Sequence, residues 1–322
     1  MMKKFTNEQD ISLVMAVFLA DDRYDHDDRP NVISVTSLMK PVRQIVLGSR
    51  LEQGDGLIDV STLLASRLGT SIHESIEKAW VHNYVAALQA LGHPQRMIDQ
   101  ININPESADE PGINIWLELR SEAVRGKWII SGCADIIMDR TIRDVKSTKV
   151  WSYITGSNDA KYKLQLSLYR WLNSEKITND TGYIEYLFMD WNKLKSTYEA
   201  GYPSLPVVAQ PIPLMSLPAT ESYVTLKLDE IETYFNTAEA DLPLCTDEDL
   251  WIRASEFKYY AKPDAKRATK NFGTDKSGAY MHLSTQGKGD VREVKGKAMA
   301  CNYCNARPIC SQYASLVASG SI

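Results

Sequence analysis

The chain has 322 residues, 44% of them hydrophobic and 24% charged, enough for a globular protein with a sizeable core. A net charge of -5 excludes a global basic signature of nucleic-acid binding, so any DNA contact must come from local patches. No apolar run approaches membrane-spanning length, and five cysteines without a leader-like segment argue for a reducing, cytoplasmic setting with no membrane partner.

Residues 1–32 read as an acidic lead-in with a solvated charge cluster between Asp21 and Arg29. The apolar run from Ile11 to Ala20 is short and reads as a buried helix turn rather than a leader. After Ile33, the run from Ser34 to Pro41 opens a short helix. Ser34, Thr36 or Ser37 caps it, with apolar residues at Val42, Ile45 and Val46. Ser61 to Leu91 has helical spacing through Leu64, Leu68, Ile72, Ile76 and Trp80, with Gly69 expected to break it. His73 and Glu77 fall one turn apart on one face of that region. A single histidine on a helix is more often structural than a ligand. The adjoining Gly69-Thr70 turn and the carboxylates downstream shift that balance. Pro94 to Gly112 is loop-rich, and Ile113 to Arg125 reads as a strand.

The organising stretch is a β-hairpin. Lys127 to Met138 is rich in Ile, Thr141 to Lys146 alternates apolar and polar residues, and Asp139-Arg140 connects them. A strand period of two puts Asp144 and Lys146 on one face and Val145 in the core, with Asp135 on the neighbouring strand. Two carboxylates and an ammonium at the edge of an apolar hairpin are costly unless a cation and an anionic substrate balance them. Hard oxygen donors of this kind hold Mg²⁺ or Mn²⁺ for phosphodiester chemistry, and a lysine can stabilise transition-state charge. The bland alternative is three solvated charges, since Asp-x-Lys is common by chance. Trp151 to Asp159 reads as a polar loop and Ala160 to Asn173 as a helix. That helix carries Gln165 and Tyr169 at i and i+4, either as part of an ordinary amphipathic surface or as contacts for a phosphate or nucleotide. Gly182 to Trp191 is a further apolar strand.

In order, the chain carries Gly69-Thr70-x-x-His73-x3-Glu77, Gly132-x-x-Asp135, Asp144-x-Lys146 and Gln165-x3-Tyr169. In this set it resembles the RecB-like branch of the PD-(D/E)xK nuclease superfamily, over about residues 33–190. The resemblance implies an α/β, restriction-endonuclease-like mixed β-sheet flanked by helices, with a nuclease core over 33–200 and a C-terminal extension over 201–322. It makes His73, Asp135, Asp144 and the Val145 carbonyl the metal ligands and Lys146 the catalytic lysine. Gln165 and Tyr169 would line the DNA path.

Gly201 to Pro218 is Pro-rich, and Leu228 to Ala240 has helical character. Between Lys258 and Ala300 ten Lys/Arg stand against four acids, a balance of +6, in a Gly-containing and flexible-looking stretch. Lys266, Arg267, Lys270 and Lys288 are the candidate backbone contacts to DNA there; a solvated loop is the equal alternative. Cys301-x2-Cys304-x5-Cys310 suggests metal ligation more than a disulfide. Helicase-nuclease and CRISPR-associated relatives in the family carry such a cluster, joined by one distant N-terminal cysteine, around a [4Fe–4S] cluster. Here Pro41 stands where that cysteine is expected, leaving Cys133, beside the metal site, and Cys245 as the other cysteines. An iron–sulfur cluster with a non-cysteine fourth ligand, a Zn²⁺ site using a histidine such as His282, and no metal at all stay open.

The expected activity is divalent-metal-dependent exonuclease cleavage at linear or single-stranded DNA ends in recombination, repair or DNA processing. A structure-specific endonuclease and a non-catalytic DNA-end-binding scaffold are the alternatives. Lys146→Ala is expected to leave folding nearly intact. No Gly-x4-Gly-Lys-Ser/Thr is present, so a helicase or recombination motor would be a separate partner.

Overall fold

The computed structural model describes residues 5–21, 29, 31–51 and 57–322; most of the charge cluster between Asp21 and Arg29 lies outside them. Among the described residues no helix is long and apolar enough to cross a membrane. The chain divides into two compact units, one of Met1–Met39 with Leu57–Asp229, the other of Lys40–Gly56 with Glu230–Ile322.

The first unit is mixed α/β. Its sheet has seven strands: β1 (Val32–Ser34), β2 (Ile101–Ile103), β3 (Ile113–Arg125), β4 (Trp128–Met138), β5 (Thr141–Thr148), β6 (Thr181–Phe188) and β7 (Val207–Pro213). β2 to β7 lie side by side in chain order, and β1 pairs with β4. The ladders β2–β3, β5–β6 and β1–β4 are parallel, the others antiparallel. Helix α1 (Leu64–Ala90) precedes β2, and α2 (Asp159–Leu172) makes the crossover from β5 to the parallel β6.

The hairpin forms as its sequence dictates. Asp139 (φ 47°) and Arg140 (φ 59°) both adopt left-handed backbone, which a two-residue type I′ turn requires. Val145 packs with Ile101, Ile115, Leu117 and Ile136 into a core covered by Ile72, Ile76, Trp80, Tyr84 and Leu88 of α1. Each such buried side chain contributes about 1.5–3 kcal/mol, and together they fix α1 over the sheet. α2 lies against Gly132 of β4 and Gly182 of β6. An added Cβ at Gly132 would come within 2.8 Å of Leu172 and Val35, so only glycine lets these layers close.

Several local expectations change. Gly69 does not interrupt α1, which runs unbroken for 27 residues; the cost of one glycine, about 1 kcal/mol, is small beside the packing of that helix. The polar loop over 151–159 contains a helix at Val150–Thr155, ended by left-handed Gly156. The helix expected at Leu228–Ala240 starts earlier, at Leu217, and ends at Tyr234. The sheet continues past residue 200 through β7, so the first unit reaches Asp229.

In the second unit, the stretch read as a flexible basic loop is folded. β8 (Glu256–Tyr260) pairs with β9 (Lys270–Asn271) and with β10 (Asp290–Val294), and α3 (Lys276–Gln286) packs on them through Ala279 and Leu283. The aromatic residues Phe257 and Tyr259 supply the core that the lysine-rich composition concealed. The separate helix Val42–Ser49 belongs to this unit.

Candidate metal centre

The register of the sheet builds the site. β3 and β4 stay in constant register from Ile115↔Met138 to Arg125↔Trp128, and the position without a bridge is where Glu118 faces Asp135. Glu118 there has φ 46°, a left-handed backbone that a glutamate rarely adopts. The β4–β5 ladder ends at Ile136↔Arg143, one step before Asp135 would meet Asp144. Glu118, Asp135 and Asp144 therefore fall in one row across three neighbouring strands, where the hydrogen-bond ladder opens. Like charges directly opposite one another destabilise a sheet, so the row stores repulsion that a cation would relieve.

His73 of α1 reaches this row. Its Nδ1 lies 3.4 Å from both Glu118 Oε1 and Asp135 Oδ2, and its Nε2 lies 3.2 Å from the Val145 carbonyl oxygen. The Val145 N–H, freed from the ladder, donates to Asp135 Oδ2 at 2.8 Å and fixes that carboxylate. Lys146 Nζ pairs with Asp144 Oδ2 at 2.5 Å and lies 5.8 Å from the Tyr162 ring of α2. The Asp144 carboxylate is 1% exposed, and beyond that ion pair neither of its oxygens accepts a hydrogen bond.

The electrostatics agree with a site short of positive charge. The hydrogen bond to Glu118, helped by the charges of Asp135 and Asp144, raises the His73 pKa to about 9 against the effect of burial. Burial, then the charge of Asp144, pushes Asp135 upward. Burial works against the charged form of Lys146, but Asp144 and Asp135 outweigh it and hold the ammonium protonated. His73, Glu118 and Asp135 each offer a ligand atom within 4.8 Å of the others. Carboxylate oxygens, a carbonyl and one imidazole are donors that suit Mg²⁺ or Mn²⁺. His73, Glu118 and Asp135 fit such an ion, while Asp144 stands outside that group with its carboxylate paired to Lys146.

Of the expected ligands, His73, Asp135 and the Val145 carbonyl meet, while Asp144 stands outside that group; two further points differ. Gln165 and Tyr169 are close, and Gln165 Nε2 donates to the Tyr169 hydroxyl at 3.2 Å. They are only 8% and 5% exposed, so they support the site from beneath instead of presenting a surface to a strand; burial raises the Tyr169 pKa. The Lys146–Asp144 pair also alters the expectation for Lys146→Ala. That change strands a buried carboxylate, a loss of about 3–5 kcal/mol when no metal is bound.

Glu118 is the residue that sequence reasoning missed. It sits in an otherwise apolar strand run, Ile113-Asn-Ile-Trp-Leu-Glu-Leu-Arg, and that isolated charge was the available signal. Cys133 is near it, its thiol 3.6 Å from Glu118 Oε2, and burial with that carboxylate pushes the thiol up to about 12.

No protein-family model matches the chain, and no curated protein does. Among solved structures, one titled "Crystal structure of SSO0001" aligns at 16% identity, over 71% of this chain and 89% of that one. Its TM-score is 0.42, too low to carry an argument.

In the second unit, Lys266, Arg267, Lys270 and Lys288 are all exposed. His282 is half-buried on α3, its ring 4.8 Å from that of Tyr259 and 5.3 Å from that of Phe272, and it is not among the residues around the cysteines. Cys301, Cys304 and Cys310 line one cleft, and Cys245 lines it with them.

Proposed function

We propose that the chain is a divalent-metal-dependent deoxyribonuclease of restriction-endonuclease-like fold and the RecB-like PD-(D/E)xK type, an exonuclease acting at linear or single-stranded DNA ends. One observation carries this reading. Three carboxylates share a row at an opening in the sheet, with His73, the Val145 carbonyl and a protonated Lys146 gathered on them. A scaffold protein gains nothing from the repulsion stored in that row, whereas a metal-dependent hydrolase uses it.

His73, Asp135, Asp144 and the Val145 carbonyl would hold Mg²⁺ or Mn²⁺, with Glu118 in reach as a further ligand. Bound there, such an ion supplies Lewis acidity to a phosphate oxygen and acidifies water. The protein's own share is then charge and position. Lys146 keeps its proton through the reaction, and its ammonium stabilises negative charge as it builds on the phosphate oxygens. Asp144 holds that ammonium in place from the buried side, and the Val145 N–H holds Asp135. Gln165 and Tyr169 brace the floor of the site. The exposed lysines and arginine of the second unit would add sequence-independent affinity for the phosphate backbone, and a separate helicase or recombination protein would supply any unwinding.

The test is digestion of 5′- and 3′-labelled linear DNA beside a closed circle, with Mg²⁺, Mn²⁺ or EDTA, comparing wild type with Asp144→Asn. Metal-dependent loss of the linear substrates, with the circle spared and the variant inactive, is the expected result, and the label released first gives polarity. Nicking of the circle would make the enzyme an endonuclease of the same chemistry. Binding without cleavage in any metal would overturn the enzyme reading.

A further inference from the structure

Most of the seven tryptophans are built into the fold. Trp116, Trp171 and Trp191 each donate the indole N–H to a protein oxygen. Trp151 is 63% exposed, the most solvent-facing of them. It sits on the short helix Val150–Thr155, which begins just past the end of β5.

That helix is firmly mounted. Val150 is buried, its N–H donates to Asp190 Oδ1 at 2.8 Å, and the Met189 N–H donates to the Thr148 carbonyl at 2.9 Å. Tyr153 shares the inner face with Val150, its ring 5.5 Å from that of Tyr186 and 5.5 Å from that of Phe188, both on β6. With 3.6 residues per turn, the outer face presents Trp151 together with Ile154. Ile154 is exposed too, and so is Met189 in the segment bonded to Thr148. The result is an apolar ledge on a rigid base.

The same mount ties the ledge to the lysine of the carboxylate row. Lys146 and Trp151 are five residues apart, which is about 18 Å at most along the chain. A packed path joins them through the interior. Lys146 Nζ lies 5.8 Å from the Tyr162 ring, Tyr162 meets Tyr186 edge-on at 6.2 Å, and Tyr186 meets Tyr153. Around the ledge Lys149, Lys193 and Lys195 are exposed. The neighbouring carboxylates are engaged, Asp190 by the Val150 N–H and Glu199 by Lys195 at 3.7 Å.

An exposed ring flanked by ammonium groups is how proteins hold a single strand: bases stack on the ring while lysines follow the phosphates. Inside a duplex every base face is already stacked, so the indole selects an unpaired base. Lysine is depleted at protein–protein interfaces, which favours a nucleic acid over a protein as the occupant of this ledge.

We propose that Trp151 is a stacking platform for an unpaired nucleobase, with Lys149 on the adjoining phosphate, and that the site therefore takes single-stranded DNA ends or overhangs in preference to blunt duplex. A few nucleotides span the distance from the indole to Lys146, so a strand held on the ledge runs back to the carboxylate row. The fate of that strand rests on the nuclease reading; its binding does not.

Binding by the full chain is followed by fluorescence anisotropy in EDTA, where no strand is cut. The probes are a single-stranded oligonucleotide, an abasic oligonucleotide of the same length and a blunt duplex. Wild type should bind the single strand most tightly. Trp151→Ala should weaken that binding by about 5-fold to 150-fold, the range for loss of one base–aromatic stack, and leave abasic binding unchanged. Trp151→Phe, which keeps a ring, should recover most of the affinity, and Trp251→Ala, at the other exposed tryptophan, should bind like wild type. With Mn²⁺ added, KM for the single strand should rise in Trp151→Ala by the same factor. Equal affinity for the abasic strand, equal losses in Trp151→Phe and Trp151→Ala, or tighter binding of blunt duplex would each overturn the proposal. So would a Trp151→Ala protein that binds DNA like wild type but no longer self-associates, which would make the ledge a protein interface. A wild type that holds the strand through Trp151 yet never cuts it would keep this site and remove the nuclease reading; cutting without any dependence on Trp151 would do the reverse.

Discussion

The carboxylate row of the first unit and the thiol cleft of the second are assembled in opposite ways. The row is made by register: once β3, β4 and β5 pair, Glu118, Asp135 and Asp144 must fall beside one another, and only His73 arrives from elsewhere. Its ligand atoms are close, hard and crowded with like charge. The cleft is made by tertiary folding, which brings Cys245 to a run more than fifty residues away through one glutamine. Its donors are soft and widely spaced, and burial pushes the Cys245, Cys301 and Cys304 thiols upward. Like charge held together before any ligand arrives is strained and eager for a cation, whereas neutral thiols are stable alone and must give up protons to bind. The first arrangement suits an ion that exchanges during turnover.

The largest effect should come from the Asp144–Lys146 pair. In the double variant Asp144→Asn/Lys146→Ala, which removes the ion pair without stranding a buried carboxylate, cleavage should fall by about 10³-fold or more. The circular dichroism spectrum should stay that of wild type. A double variant that unfolds would make the pair structural. Next is proton competition at His73. Metal binding needs the neutral imidazole, and the metal-free ring holds its proton up to about pH 9. Apparent Mn²⁺ affinity should therefore rise by up to about tenfold per pH unit from 7 towards 9 and level off above. A flat profile in a titration followed by paramagnetic resonance would remove His73 from the ligand set. Glu118→Gln should weaken metal binding by about 10-fold or more, as loss of a carboxylate near a metal does, with activity recovering at high Mn²⁺. Activity lost at every metal concentration would give Glu118 a different role. The smallest effect belongs to the surface. Replacing Lys266, Arg267, Lys270 and Lys288 by alanine should make the salt dependence of DNA affinity shallower, its logarithmic slope falling by about 0.9 for each phosphate no longer neutralised. Fluorescence anisotropy measures this slope, and cleavage at saturating DNA should be unchanged.

The same contrast explains what is legible in the sequence. The hairpin and its Asp144-x-Lys146 can be read there because strand alternation and the Asp139-Arg140 turn are short-range. Asp135 follows from the neighbouring strand. Glu118 is hidden because its strand looks like an ordinary apolar run, and only the register shows that it faces Asp135. Gln165 and Tyr169 share a helix face as spacing requires, but spacing says nothing about whether that face is buried. The folding of residues 256–294 is masked by their lysines, since Phe257, Tyr259 and Val291 are too few and too scattered to mark a core in sequence. Cys245 cannot be paired with the C-terminal cysteines by spacing, because the folded strands and helix between them, not the sequence separation, set how close they come.

Thermal unfolding of the metal-free full chain, with Mn²⁺ added stepwise, tests the account most directly. Wild type should gain stability with each tenfold excess of ion over its dissociation constant, by about 1.4 kcal/mol. Asp144→Asn should begin less stable in EDTA, since it leaves the largely buried Lys146 ammonium without its carboxylate, and should gain little from Mn²⁺. A wild type indifferent to Mn²⁺, or an Asp144→Asn protein stabilised by it as strongly as wild type, would contradict the claim that the row exists to hold a cation.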